Sequence, residues 1–444
     1  MKKPVKWRLP EMITGLYLAL LATVFLLSFS GYTTLPVTKQ SFFYAICGGY
    51  LIVTAAVLLE GMLVGLFSPR DLWNKIKPAS PVQGAMLLYM AVTFLSAAFS
   101  AYPQAAWLGG SRGEGALTIA IYCLCFFFVA KFARLKGVLI YLFGGALTLF
   151  SVLSVIQLLG YNPLGLFPEG YNFYDAGRAY SGAYLGTLGN VDLVASFLCV
   201  AIPVLWIYLL RGKEKQRFLL LIPLGLALYV LVKMNVMAGF VGILGGAVLS
   251  VPFAVPLPKK GRILYWCGLA GCAVGGVVLL YAVTPSGGML RQIHEILHGN
   301  VSVYFGSGRF YIWKNVLSRL PEHLLLGAGP DTLAYADIQP FQRYDEALEM
   351  TIKAYVDTAH NEYLNVLYHQ GIFAFLLYLA GLISALLRWI KAAPRNAGAA
   401  VCGGAVIAYA VQAFFGISQF ITAPFFWAAL GLLEHYCSIQ STDT

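Results

Sequence analysis

The sequence predicts an all-α polytopic membrane protein, and three observations carry that prediction. Only 11% of the 444 residues are charged, against roughly a quarter in soluble domains. Hydrophobic residues make up 59% of the chain. Apolar runs of about 18 to 25 residues recur along it, each long enough to cross a hydrocarbon layer of ~30 Å as a helix.

About twelve transmembrane helices are expected, at roughly 11–32, 42–67, 82–100, 115–133, 137–160, 191–210, 217–232, 236–256, 263–283, 361–387, 399–416 and 419–437. The opening "MKKPVKWRLPEM" has the basic flank of a targeting signal, but the apolar stretch after it is about 20 residues and is expected to stay as the first span. Basic residues test the arrangement, because short cytoplasmic loops are enriched in Lys and Arg. With the N-terminus inside, 20 of the 30 Lys and Arg fall in cytoplasmic pieces, for example Lys2, Lys3, Lys6 and Arg8, or Arg211, Lys213, Lys215 and Arg217. Six of the remaining ten lie in one long loop (Arg291, Arg309, Lys314, Arg319, Arg343, Lys353), where the rule has little force. Both termini of this multi-pass protein are therefore expected on the cytoplasmic side of its membrane.

The net charge of +11 follows from this topology and does not point to nucleic acid, since the cations are scattered in short loops. Eight cysteines (Cys47, Cys123, Cys125, Cys199, Cys267, Cys272, Cys402, Cys437) all fall in apolar segments, which suggests neither a disulfide framework nor a metal cluster. The chain then divides into residues 1–283 with helices one to nine, an extracytoplasmic loop of short amphipathic helices at 284–360, and residues 361–444 with the last three helices and a short tail. A second outward loop covers 161–190. Long ordered loops are usually functional. The sequence shows no internal repeat.

In the long loop, "GSGRFYIWKNVLSRLPEHLLLGAGPDTL" places Arg309, Trp313, Leu317 and Leu320 at helical spacing. This predicts an amphipathic helix with Ser307 as N-cap and an end at Pro321. Arg309 would sit in its first turn, where the helix dipole disfavours a cation unless an anion is shared with the free amides. The alternative is an interface arginine among Phe310, Tyr311 and Trp313. "GAGPD" at 327–331 lacks the ending of a nucleotide-binding loop and reads as a helix-terminating turn.

"VDTAHNEYLNVLYHQG" then sets His360, Asn361 and Glu362 at the mouth of the tenth span. Polar groups there are costly without water, a partner or a substrate. Asn361, Asn365 and Tyr368 share a helical face that would turn toward a cavity. His360, with an ordinary pKa of about 6.5, could take a proton from a hydroxyl at neutral pH. His369 reads as a packed core histidine. Arg112 and Glu114 lie in the short outer loop "GGSRGEGAL", Arg178, Asn190 and Asp192 precede the sixth helix, and Lys233 ends the seventh; Glu60, inside the second, is given no role. Arg112, Arg178, Lys233 and Arg309 thus gather cations beside His360, which suits an anionic head group presented at the outer leaflet.

A rival pattern is "HEILH", where His294, Glu295 and His298 have the His-Glu-x-x-His spacing of a zinc protease, with Glu322 as a third ligand. That helix has the simpler use of packing Ile293, Ile296 and Leu297 on a membrane surface. A lipid-linked oligosaccharide flippase or transporter is a further alternative, for which broken helices at the midplane and an internal repeat would be expected.

"SGRFYIWKNVLSRLPEHLLLGAGPDTL" followed by "AHNEYLNVLYHQGIFAFLLYL" resembles the signature of the O-antigen ligase and O-antigen polymerase superfamily, and "SRGEGALT" and "GTLGNVDLVASFL" are similar to it as well. The resemblance implies a polytopic, metal-independent, inverting glycosyltransferase without cofactor. Its donor would be an undecaprenyl pyrophosphate-linked oligosaccharide, and its acceptor a hydroxyl of a growing glycan, a lipid, a wall polymer or a protein. By motif position Arg309 matches the arginine that binds pyrophosphate and His360 the essential histidine. Arg112, Arg178, Lys233, Asn361, Glu362 and Trp313 are the further candidates for substrate binding. Two departures stand out: "KMNVMAGFVG" has Met237 where the family has an arginine, with Lys233 one turn earlier, and Asp192 replaces an asparagine.

Overall fold

The computed structural model describes residues 5–31, 33–134, 137–167, 184–255, 257–303, 305–306, 308–345 and 350–439. The chain is helical almost throughout. In order, the helices are α1 (Arg8–Phe25), α2 (Leu35–Leu63), α3 (Pro69–Ile76), α4 (Pro81–Ala98), α5 (Pro103–Leu108), α6 (Ala116–Phe132), α7 (Val138–Leu158), α8 (Val191–Arg211) and α9 (Leu221–Met234). They continue with α10 (Met237–Ala254), α11 (Lys259–Ala282), α12 (Gly288–Leu297), α13 (Arg309–Arg319), α14 (Glu362–Ala392), α15 (Ala397–Gln412) and α16 (Ala423–Ile439). The strands form two antiparallel hairpins, β1 (Tyr184–Leu185) with β2 (Gly189–Asn190), and β3 (Phe341–Asp345) with β4 (Met350–Ala354).

All twelve predicted spans coincide with helices, and nine helices among the described residues are long and apolar enough to cross a membrane. The other three, α6, α15 and α16, have 17, 16 and 17 residues, so length alone does not reach the expected twelve. These shorter helices lie in the interior, where α15 buries every residue from Ala399 to Tyr409. The second span begins at Leu35, seven residues before the expected 42, and a buried lysine explains why. Lys39 is fully buried on α2 and donates to the carbonyls of Phe25 (2.6 Å) and Leu26 (3.4 Å), answering the open end of α1.

The core is built around α8, which is buried at every position from Leu193 to Pro203. Small residues let its neighbours approach closely: Gly246 of α10 lies against Ala408 of α15, and Gly404 of α15 against Ile207 of α8. Apolar side chains gain little by leaving lipid for protein, so close packing of this kind is what holds such helices together. At the periphery, α11 buries none of its residues and touches the bundle through Tyr265, whose hydroxyl donates to the Val248 carbonyl at 2.7 Å.

The long loop holds the amphipathic helix expected after residue 307. It runs Arg309–Arg319, passes into a short 3₁₀ turn at Leu320–His323, and is preceded by Gly308 in left-handed conformation. The proposed cap Ser307 lies outside the described residues. The hairpin β3–β4 in this loop was not anticipated from the sequence.

Candidate functional site

Helix α14 is interrupted at Gly371, whose φ of 80° and ψ of −179° belong to a region only glycine enters readily. The break leaves carbonyls of the preceding turn without their helical donors, and the segment 324–329 supplies replacements. Ala328 N donates to Tyr368 O (2.9 Å), Gly329 N to His369 O (2.8 Å), and Ile372 N turns to Leu324 O (2.7 Å). Two serines of α4 and its end complete the seam, Ser96 to His369 O at 2.8 Å and Ser100 to Ala328 O at 2.7 Å. "LLGAG" is therefore a backbone strap seated in a broken helix, which corrects its reading as a mere terminating turn.

The strap ends at Asp331, a non-glycine residue with φ of 55°. Its Oδ2 accepts three backbone N–H groups of the α5–α6 loop, from Gly110 (2.7 Å), Arg112 (2.9 Å) and Glu114 (3.1 Å). The "GGSRGEG" loop is thus folded around a carboxylate as a nest of amides. That arrangement aims Arg112 at Asp357, with Nε to Oδ2 at 2.8 Å and Nη2 to Oδ1 at 2.9 Å, a two-pronged ion pair. Beside it, Glu114 accepts the Tyr122 hydroxyl at 2.7 Å, and burial pushes its carboxyl up to about 8.

His360 follows Asp357 by one turn of chain and also has a left-handed backbone, with φ of 48°. Neighbours on both sides fix it there. Trp313 Nε1 donates to Ala359 O (2.9 Å), while Asn365 Oδ1 accepts Ala359 N (2.8 Å) and its amide donates to Thr358 Oγ1 (2.8 Å). Burial lowers the His360 pKa to about 4; Asp192 opposes this, Arg309 and Arg112 add to it, and Asp357 opposes it. Four charged groups from four parts of the chain therefore act on one imidazole, which is neutral at pH 7. Arg309 itself starts α13 and donates to Gly306 O (2.9 Å) and Phe415 O (3.1 Å), tying that helix to the α15–α16 connection.

The structure thus sets Arg309, Arg112 and Asp192 close enough to act on His360, and it adds Asp331 and Asp357, which the sequence did not single out. Trp313 buttresses the His360 backbone. Of the face expected to turn toward a cavity, Asn365 lines the one beside Arg112, while Asn361 caps α14 by accepting Leu364 N at 3.0 Å. Glu362 is also corrected: it is 5% exposed and accepts the hydroxyls of Tyr378 (2.6 Å) and Tyr409 (2.9 Å), so it points into the bundle and fastens the two halves of the broken α14 to α15. Lys233 is exposed at the end of α9 with its ammonium 5.8 Å from the Tyr229 ring centre. Arg178 lies outside the described residues. A cavity of about 60 Å³ lies beside Arg112, which lines it with Glu114, Asp331, Asp357, Glu362, Asn365 and His369 among others.

The three residues of the zinc pattern are used otherwise. His294 Nδ1 is 2.6 Å from Leu280 O and its Nε2 is 3.4 Å from Thr284 Oγ1, while His298 stacks on Tyr281. Glu295 turns to Arg291 (3.7 Å) and Asn300 (3.0 Å), and Glu322 is exposed on a different element. This geometry fastens α12 to the end of α11. Asp331 and Asp357 escaped the sequence reading because a lone Asp after Gly-Pro, or before Thr-Ala-His, has no signal until its partners are known.

No curated protein matches the chain. Residues 193–379, from the first turn of α8 into the second half of the broken α14, match the family model described as O-antigen ligase. That stretch contains Arg309, the strap and His360, so the similarity to the O-antigen ligase family covers most of the cluster described above.

Proposed function

We propose that the protein transfers a glycan from undecaprenyl pyrophosphate to an acceptor hydroxyl on the outer face of the cytoplasmic membrane. The family match supports a ligase- or polymerase-type glycosyltransferase in general. The observation that carries the finer reading is the convergence of two arginines, Arg309 and Arg112, with a neutral histidine at one end of the bundle.

In the proposed reaction the acceptor oxygen attacks the anomeric carbon as the bond from that carbon to the pyrophosphate oxygen breaks, with inversion. The hydroxyl proton passes to His360, and Asp192 favours the imidazolium that results. Arg309, together with Arg112, stabilises charge on the departing undecaprenyl pyrophosphate, so the reaction is proposed to need no metal ion. The donor would compete with Asp357 for the Arg112 fork. The acceptor is a glycan chain, lipid, wall polymer or protein.

The test is mass spectrometry of lipid-linked glycans in cells lacking the protein and complemented with wild type, Arg309→Ala or His360→Ala. Accumulation that wild type clears and both variants leave in place supports the proposal. Full clearance by either variant overturns the site assignment.

The break in α14 at Gly371 favours a second reading, transport, because interrupted helices build ion and substrate sites in carriers. Here the strap answers the carbonyls at the break with backbone N–H groups, which leaves them little capacity for a passing solute. A transporter would also leave donor glycans intact on their carrier in a purified assay, where a transferase consumes them.

A further inference from the structure

A second cavity lies well away from the cluster around His360. It has a volume of about 310 Å³ and lies as an open groove between α1, α7, α8, α15 and α16. Its walls include Leu18, Phe143, Val204, Val401 and Ala428, and no charged side chain among the described residues lines it. Apolar spaces of this size do not hold water, and one bordered by bilayer-facing helices fills with hydrocarbon. It extends along α16 from Phe425 to Tyr436, a rise of about 16 Å.

Its mouth is chemically different. Gly212 and Ala397 line the cavity at that end, and the residues flanking them are basic: Arg211 and Lys213 on one side, Arg395 on the other. Lys213, Lys215 and Arg395 are exposed. Arg211 is already committed to the carbonyls of Ala254 (2.9 Å) and Pro394 (3.2 Å). Arg217 lays its guanidinium over the Phe218 ring, 5.1 Å from the ring centre, while its Nε is buried without a hydrogen-bond partner among the described residues, and its Cδ comes within 3.4 Å of the position a Gly212 side chain would take. The carboxylate at this rim is Glu214, which accepts the Tyr208 hydroxyl at 3.4 Å.

We infer that this cavity is a binding site for an anionic phospholipid, with one acyl chain between α8 and α16 and the phosphate against Arg217 and Lys213. Basic pockets between helices on the cytoplasmic side recognise anionic head groups in this way. The occupant is not the glycan carrier, because the rim lies at the far end of α8 from Asp192. The 21 residues of that helix span about 31 Å, a full hydrocarbon thickness. A lipid seated here belongs to the opposite leaflet from the proposed transfer reaction, and the inference does not depend on that reaction.

The full-length protein, purified in mild detergent, would be titrated with phosphatidylglycerol and phosphatidylcholine of equal chain length and read by native mass spectrometry. Preferential retention of one phosphatidylglycerol is expected. Removing charge with the pair Lys213→Gln and Arg217→Gln should weaken that preference about fivefold per cation. Filling the groove with Val204→Trp should abolish retention of either lipid; if that variant fails to fold, the charge pair alone decides. Equal retention of the two lipids, no retention, a polyprenyl phosphate in their place, or an unchanged preference in the charge variant would each overturn the inference.

Discussion

Replacing Gly371 with alanine adds one methyl group and should disable the protein. Backbone at φ 80° and ψ −179° costs any other residue roughly 1–3 kcal/mol. The new Cβ would also collide with the Leu325 carbonyl and sit 2.7 Å from Gly327 N, both main-chain atoms that no rotamer change can move. Overpacking of this kind costs about 1–3 kcal/mol. If the strap withdraws instead, the hydrogen bonds of Ala328 N, Gly329 N and Ile372 N are lost, at roughly 0.5–1.5 kcal/mol each. Either route removes about 2–5 kcal/mol, a large part of a typical folding stability of ~5–15 kcal/mol. Withdrawal would also carry Asp331 away from Arg112, and displacements of about 1 Å at a reacting centre cost on the order of 100-fold in rate. Thermal unfolding of the purified variant and glycan transfer in membranes measure the two consequences. Gly84→Ala, where a Cβ meets nothing within 4 Å, is the control and should be neutral. A Gly371→Ala protein that unfolds and transfers like wild type would refute the idea that the strap seats in the helix break.

Other expectations can be checked with the same preparations. Asp331→Asn keeps an acceptor but loses the charge that gathers three N–H groups, so transfer should fall well before stability does, by roughly tenfold or more, as ~1.4 kcal/mol implies. His360 is neutral down to about pH 4, so the acid limb of the rate for free enzyme should lie near pH 4 to 5 and not at about 6.5. Asp192→Asn removes a charge that raises this pKa and should move the limb further down; an unmoved limb means another group governs it. The same depression has a sign for stability: between about pH 6.5 and 4 the unfolded chain binds the proton that folded His360 refuses, so acidification through that window destabilises the fold. Glu295→Ala should leave transfer unchanged, because among the described residues its carboxylate pairs with Arg291 and Asn300, away from His360; loss of activity would reopen the zinc reading.

The membrane class, the helix positions and part of the cluster were legible in the chain for a physical reason. Length and hydrophobicity of a span are local properties, and an arginine in a first helical turn or a histidine at a span mouth is anomalous without reference to anything distant. The amphipathic helix at Arg309–Arg319 was readable from its own spacing. Roles that depend on partners were not. Asn361 and Glu362 are as polar as His360 and sit beside it, yet one caps its own helix and the other is buried between Tyr378 and Tyr409, which come from 16 and 47 residues away. Asp331 meets its donors across more than 200 residues of sequence. The sequence alone determines which segments enter the bilayer, because burial in lipid selects on composition. Only the tertiary structure decides which polar groups are spent on holding backbone and which remain for chemistry, because hydrogen bonds and ion pairs are satisfied by whatever the fold brings within about 3 Å.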